Sequence, residues 1–314
     1  MDPAVERLLE SDEPAIRHAA LTELLDRPAQ DPDVRDARRR ILNGPIARTL
    51  TTPTPSLHPY QKWRGAHWRL VSVMDLGIPG DTPGLREQYE AVLEWLGPAH
   101  VARVPVIKGL ARRCGSQEGN ALAVGVHLGL ADDPRVAELG RNLERWQWPD
   151  GGWNCDKKPK ASHASFNESC PPLLGLARFA DATGDGDARA AADRAAEFLL
   201  RHRVAYSERT GELAHPNVGV LHYPPFWHYD YLVGLRALAA AGRVTDARTA
   251  DALDLLEANR RADGTWQPGG RWWRRPGSSG ANVEVVDWGS GASEPLTLSA
   301  VRVLKAARRW QPAG

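Results

Sequence analysis

The densest group of reactive side chains in the sequence is Trp227-His228-Tyr229-Asp230-Tyr231, which follows Pro224-Pro225 and opens an apolar segment ending at Gly242. At helical spacing positions 227, 230 and 231 share one side while 228 and 229 project elsewhere, so the five cannot all face one cavity. A carboxyl such as Asp230 among aromatic rings is driven toward its neutral form and can then serve as a general acid. The faces of Trp227, Tyr229 and Tyr231 can stabilise a developing cation through their quadrupoles. Asp230 can equally cap the helix it opens, with the rings packing between hairpins. Comparable segment starts carry His67, Glu118, Glu168 and Glu294. If those starts converge, two carboxyls can divide acid and base roles; acids there also favour the helix dipole without any chemistry. Glu118 with Asn120 stands out because Gly115 and Gly119 beside it leave room for a ligand. The catalytic candidates are therefore Asp230, Glu118 and His228, with His67, Asn120, Asn167, Glu168 and Glu294 on the substrate side.

Thiol and indole groups offer further chemistry. Cys155, His163 and Cys170 are close enough in sequence to meet, and Asp156 or His228 could complete a tetrahedral set. Their spacing matches no specific Cys/His module, and isolated cysteines are commonly plain buried residues, so neither a metal nor another cofactor is expected. Cys114 with His67 or His228 is a further arrangement, a nucleophilic pair. Trp272 and Trp273 stand among Arg271, Arg274 and Arg275, with Trp288 nearby. Such a group can stack on bases, lid a cavity or bind an anion. No Gly-Lys-Ser or Gly-Lys-Thr follows the glycines, so they form no phosphate loop.

These residues must be held by the elements around them. Trp146 to Asp156 ends one periodic segment in a glycine-rich turn and plants Trp153 just past it. A weaker copy runs from Arg260 to Trp266, and the two Asp-Gly pairs, Asp150-Gly151 and Asp263-Gly264, are 113 residues apart. That is close to two helical hairpins of about 55 residues each, which points to stacked or ring-closed helix pairs. Five segments read as helices buried on more than one side: Ala66 to Gly77, Gln117 to Gly129, Ser165 to Ala180, Trp227 to Gly242 and Ser293 to Leu304. Pro171 and Pro172 should delay or kink the third. Charged helices with single apolar stripes alternate with them: Gly84 to Leu96, Pro134 to Trp146, Ala188 to Arg201 and Thr245 to Asn259. A double ring explains the alternation, and so does a superhelical solenoid. Residues 1–50 read as short polar helices forming an outer layer or a docked extension, and residues 51–62 as a proline-rich connection. The reading is thus a helical extension over 1–50 and one ring domain over 51–314.

Forty basic against thirty-nine acidic residues leave a net charge of +1, which gives no long-range attraction to nucleic acid or anionic lipid. Three cysteines make no disulfide framework, and a reducing, cytoplasmic setting is the simpler reading. The first residues lack a basic region followed by an apolar run, so no secretory leader is expected. No run of about 18 apolar residues occurs, so no membrane span is expected. Twelve tryptophans against four phenylalanines is the compositional oddity. Such an excess serves repeat packing or an aromatic cavity.

At its two tryptophan turns the chain resembles the terpenoid-cyclase and protein-prenyltransferase superfamily. Gln147-Trp148-Pro149-Asp150-Gly151-Gly152-Trp153 is similar to the glutamine–tryptophan repeat of squalene and hopene cyclases, and Arg260 to Trp266 matches with arginine in place of glutamine. The alternation over roughly residues 60–310 also looks like short squalene-cyclase-like proteins of actinomycetes. The resemblance implies an all-α fold, an α/α toroid with a central cavity, in which Gln147 ties its turn to a neighbouring helix. The Asp-x-Asp-Asp acid motif of the cyclases is absent, and Asn167 stands where a prenyltransferase zinc histidine would be expected. The reaction expected on this resemblance is acid-initiated cyclisation or rearrangement of a hydrophobic or polycyclic small molecule, an isomerase-like conversion. Asp230 would be the acid, with Trp227, Tyr229 and Trp153 among the wall residues. The alternatives are a non-catalytic binder of an isoprenoid or polycyclic ligand, and a protein-interaction scaffold. Nucleic acid is not an expected partner, and the chain is read as a monomer or a homodimer.

Overall fold

Asp-Pro pairs start many of the helices. Asp2, Asp31 and Asp133 each accept a backbone N–H through the side chain while the following proline takes the first helical position, where its missing N–H costs nothing. The computed structural model describes residues 1–54, 56–289 and 293–312. Its helices are α1 (Pro3–Leu9), α2 (Pro14–Ala19), α3 (Pro32–Arg40), α4 (Pro45–Thr51), α5 (Ala66–Leu76), α6 (Leu85–Trp95), α7 (Pro98–Val101), α8 (Gly115–His127), α9 (Pro134–Trp146), α10 (Phe166–Thr183), α11 (Gly186–Arg201), α12 (Tyr231–Ala240), α13 (Ala250–Ala258) and α14 (Ser293–Ala306). Helix, with its short 3-10 and π turns, makes up 53% of the described residues. The one sheet among the described residues is an antiparallel pair of two-residue strands, Val106–Ile107 and Leu110–Ala111, so the class is all-α.

The alternation read from the sequence becomes two layers. The apolar helices pack in succession, α5 on α8, α8 on α10, α10 on α12, α12 on α14, and α14 touches α5 again. The striped helices lie outside them, with α6 against α5, α9 against α8, α11 against α10 and α13 against α12. α9 buries Val136, Leu139, Leu143 and Trp146 along one face, the 3–4 spacing of an amphipathic helix. The N-terminal helices belong to the same layer: α1 and α2 pack on α14, and α4 on α5. Ala4, Val5 and Leu8 are fully buried there.

The two turns are built alike. Gln147 Nε2 donates to Gly151 O (2.7 Å) and to Ala191 O on α11 (2.9 Å), while its Oε1 accepts from Arg194 Nε (2.7 Å). The glutamine therefore ties its turn to the next outer helix. Arg260 takes the corresponding place, with Nε on Gly264 O (3.0 Å) and Nη2 on Asp2, the cap of α1. Trp153 Nε1 donates to Leu143 O (2.9 Å) and Trp266 Nε1 to Leu256 O (2.7 Å), each ten residues back. Gly151, at φ +100°, abuts Arg194 O so closely that a Cβ would lie 2.3 Å from it, which excludes any other residue.

Pro171 and Pro172 do not interrupt their helix. α10 starts at Phe166 and runs through both, so they do not delay it. The reason lies in the helix it crosses: a Cβ on Gly119 would sit 2.3 Å from Pro172 N, and one on Gly175 would sit 2.4 Å from Gly119 O. Glycines on α8 and α10 let the backbones touch, and packing holds the proline turn in helical form.

Candidate functional site

The N-terminal ends of α5, α8 and α10 meet beneath the segment 58–63. Tyr60 stacks on Trp95 (centroids 5.0 Å apart) and stands edge-on to His67 (5.3 Å). His67 is buried, and its Nε2 has no hydrogen-bond partner. Burial, reinforced by the Arg113 charge, pushes its pKa down to about 3, so it is neutral. Burial likewise lowers His100 to about 4, and Gln117 lies between His100 and Tyr60. Glu118 is fully buried and grips Arg113 Nε through both carboxylate oxygens at 2.9 and 3.0 Å. Burial raises the Glu118 pKa and Arg113 opposes it.

At the edge of this cluster Cys114, Cys155 and Glu168 come together. One atom of each, the two sulfurs and a carboxylate oxygen, lies within 4.8 Å of the others. Cys155 Sγ is 3.6 Å from Glu168 Oε1, and Glu168 Oε2 accepts the Ser116 N–H at 3.1 Å. One carboxylate oxygen is thus held by the start of α8 and the other faces the thiols. The hydrogen bond between the thiols holds the Cys155 pKa below its ordinary value and raises that of Cys114, which burial pushes up further. All three side chains are half-buried, so the group is reachable from outside.

Local chain geometry explains the meeting. Gly115, read from the sequence as room for a ligand, is where Trp153 lies: a Cβ on Gly115 would be 2.9 Å from Trp153 Cγ. Gly119 is likewise filled by the Pro171–Pro172 backbone. The Trp153–Gly115 contact brings Cys155, two residues beyond the indole, against Cys114, one residue before the glycine. Of Cys155, His163 and Cys170, which the sequence left only as an alternative to having no metal, Cys155 alone takes part. Cys170 is buried against Tyr229, and His163 is exposed, with its carbonyl accepting from Asn154 Nδ2. Among the described residues, Cys114 and Glu168 stand in their place.

The remaining candidates are dispersed. Asp230 caps α12: Oδ1 accepts Val233 N–H (3.0 Å), Oδ2 accepts His222 N–H (2.9 Å), and the side chain is buried. Both oxygens are occupied by backbone, the arrangement of a structural cap. Tyr229 donates to Val204 O and stacks on Phe166 (4.8 Å), and Tyr231 and Trp153 are fully buried. His228 lies between Trp227 (3.9 Å) and Trp272 (4.0 Å), and burial lowers its pKa to about 4. Asn167 donates to Trp227 O (2.9 Å), and Asn120 is buried on α8. Trp273 donates to Tyr223 O (3.0 Å), and Trp288 stands edge-on to Tyr223 (5.1 Å). Glu294 leaves the cluster for Ser11 (2.6 Å) and Arg7 (3.7 Å). Trp63 lies flat on Phe226 at 4.1 Å and edge-on to Trp68 at 4.9 Å. Glu284 is buried among them, its pKa pushed up to about 7 by burial against the pull of its backbone partners and Arg69. No periodicity marks that residue, because it sits in an irregular segment.

No helix among the described residues is long and apolar enough to cross a membrane. No family model matches the chain, and no curated protein matches it. A protein of Actinoplanes with a known crystal structure is similar at 17% identity, covering 98% of this chain and 89% of that one, with a TM-score of 0.39; at that level the likeness assigns neither fold nor function.

Proposed function

We propose that the five inner helices close an α/α ring of the terpenoid-cyclase type and that the chain is a metal-dependent enzyme. Its metal centre is Cys114, Cys155 and Glu168. Ring closure is supported by the return contact of α14 on α5 and by the matching turns at Gln147 and Arg260. The metal reading rests on one observation, the convergence of two thiols and a carboxylate within 4.8 Å. Zn–S and Zn–O bonds at a tetrahedral angle separate sulfur from oxygen by about 3.6 Å, and Cys155 Sγ to Glu168 Oε1 measures 3.6 Å.

Three protein ligands leave one of four places open, and an ion bound there supplies a Lewis-acid position at which a nucleophile is activated near neutral pH. The chain's own residues do the positioning. Ser116 N–H orients Glu168, the outer-shell contact that fixes a ligating carboxylate. Glu118 holds Arg113, which leaves Glu168 as the carboxylate beside the thiols. Neutral His67, Tyr60 and Gln117 pack on one another at the inner side of the group.

The same geometry weighs against acid-initiated cyclisation, since Asp230 is committed as a cap and the rings that would line a chamber pack on one another. The test is cobalt(II) added to protein freed of metal by chelation. The expected result is an intense near-ultraviolet thiolate-to-cobalt band, absent in C114S and C155S and altered in E168Q. A spectrum identical in wild type and C155S would reject the site.

A further inference from the structure

The opposite end of the helices holds a second feature. A cavity of about 470 Å³ opens where the C-terminal halves of the five inner helices come together, lined by Asp75 of α5, His127 of α8, Arg178 of α10, Arg236 of α12, and Ser299 and Arg302 of α14. Its volume is in the range of small-molecule sites, about 300–1,000 Å³. Three guanidinium groups face it. Arg236 is answered by Asp75. Arg302 is answered by Glu23 (2.6 Å) and donates to Asp75 O (2.5 Å). Arg178 has neither a hydrogen bond nor an ion pair among the described residues, although Asp75 and the other two arginines are near enough to act on its charge. Ser299 Oγ and Arg302 Nε are also buried without partners. Helix C-termini favour nearby cations, which accounts for basic residues at this end but not for one left unpaired. Arg178 is half-buried and lines the cavity, so its guanidinium is open to a negative group entering there.

We propose that this cavity binds a small organic oxyanion, a carboxylate or a phosphate ester, with Arg178 as its principal partner and Ser299 and Arg302 Nε as further donors. Arginine presents a planar fork that matches either group. Met74, Leu174 and Val303 supply an apolar wall for a short carbon body. The site is separate from the thiol cluster and stands whether or not that cluster binds metal.

The experiment is thermal unfolding of the full chain in chloride, phosphate and butyrate at equal ionic strength and pH. Wild type is expected to unfold at a higher temperature in phosphate or in butyrate than in chloride, since a ligand that binds only the folded state raises the midpoint. A rise in phosphate alone that is lost in R178Q assigns a phosphate group, and a rise in butyrate alone that is lost in R178Q assigns a carboxylate. R178Q is expected to bind the effective anion at least tenfold more weakly, and R178K to retain part of the effect. Equal midpoints in the three salts overturn the proposal, and so does an anion-dependent rise that persists in R178Q. If R178Q does not fold, S299A takes its place: a diminished rise supports the site, and an undiminished one overturns it.

Discussion

Replacing Glu284 with glutamine probes how tightly the surroundings of that buried carboxyl exclude water. The carboxyl is 3% exposed and accepts Val285 N–H at 2.7 Å and Val286 N–H at 3.3 Å. Its other oxygen, Oε2, has no hydrogen-bond partner. Burial outweighs those bonds and Arg69, so the pKa stands at about 7 against an ordinary 4.5. A raised carboxyl pKa means that the fold favours the neutral acid. Its contribution to stability is complete below pH 4.5 and is lost as pH rises through 7. The gap corresponds to about 3 kcal/mol. Glutamine keeps the shape and the accepting oxygen without the charge. Urea unfolding of wild type and E284Q should therefore give a stability difference that moves by about 3 kcal/mol in favour of the variant between about pH 4 and pH 8. Parallel stability curves over that range would refute the argument, because they would mean that the carboxylate is solvated in the folded state.

Other substitutions test the scaffold and the mouth. Gly119→Ala places a Cβ 2.3 Å from Pro172 N, and forcing α8 from α10 should cost about 2 kcal/mol or more by denaturant unfolding. Gln147→Ala removes the donors to Gly151 O and Ala191 O and should cost about 1–3 kcal/mol, whereas Gln147→Glu, which keeps only the acceptor for Arg194, should restore little of it. Glu118→Gln leaves the Arg113 guanidinium without its carboxylate in a secluded place. It should destabilise by about 3 kcal/mol, read as a lower urea midpoint, with most of the loss recovered in the double variant Glu118→Gln, Arg113→Met.

Much of the fold was legible because periodicity and turn chemistry are local. The five apolar segments and the four striped helices were placed by their spacing, and Gln147 ties its turn to the next helix as the family resemblance implied. The N-terminal helices were harder: their stripes are narrow, and long-range contacts such as Arg260–Asp2 and Gly264 against Ala4 place α1 beside the second turn. The start of α10 at Phe166, ahead of its prolines, was not legible because a local rule ignores the glycine face opposite. The site was less legible still. Asp230 carried the features of a general acid and of a cap alike, and the backbone N–H groups of His222 and Val233 decide which it can be. Cys114 and Cys155 are 41 residues apart, and they meet only because Trp153 packs on Gly115, a contact that no spacing encodes.

The most direct test of the proposed centre is the metal content of the intact protein, purified without added metal or chelator and measured by inductively coupled plasma mass spectrometry beside C155S. The account predicts about one zinc per chain in the wild type, and a loss of most of it in C155S with the fold retained by circular dichroism. Wild-type protein without metal whose intact mass is about 2 Da below the reduced value, the mark of a Cys114–Cys155 disulfide, would contradict it.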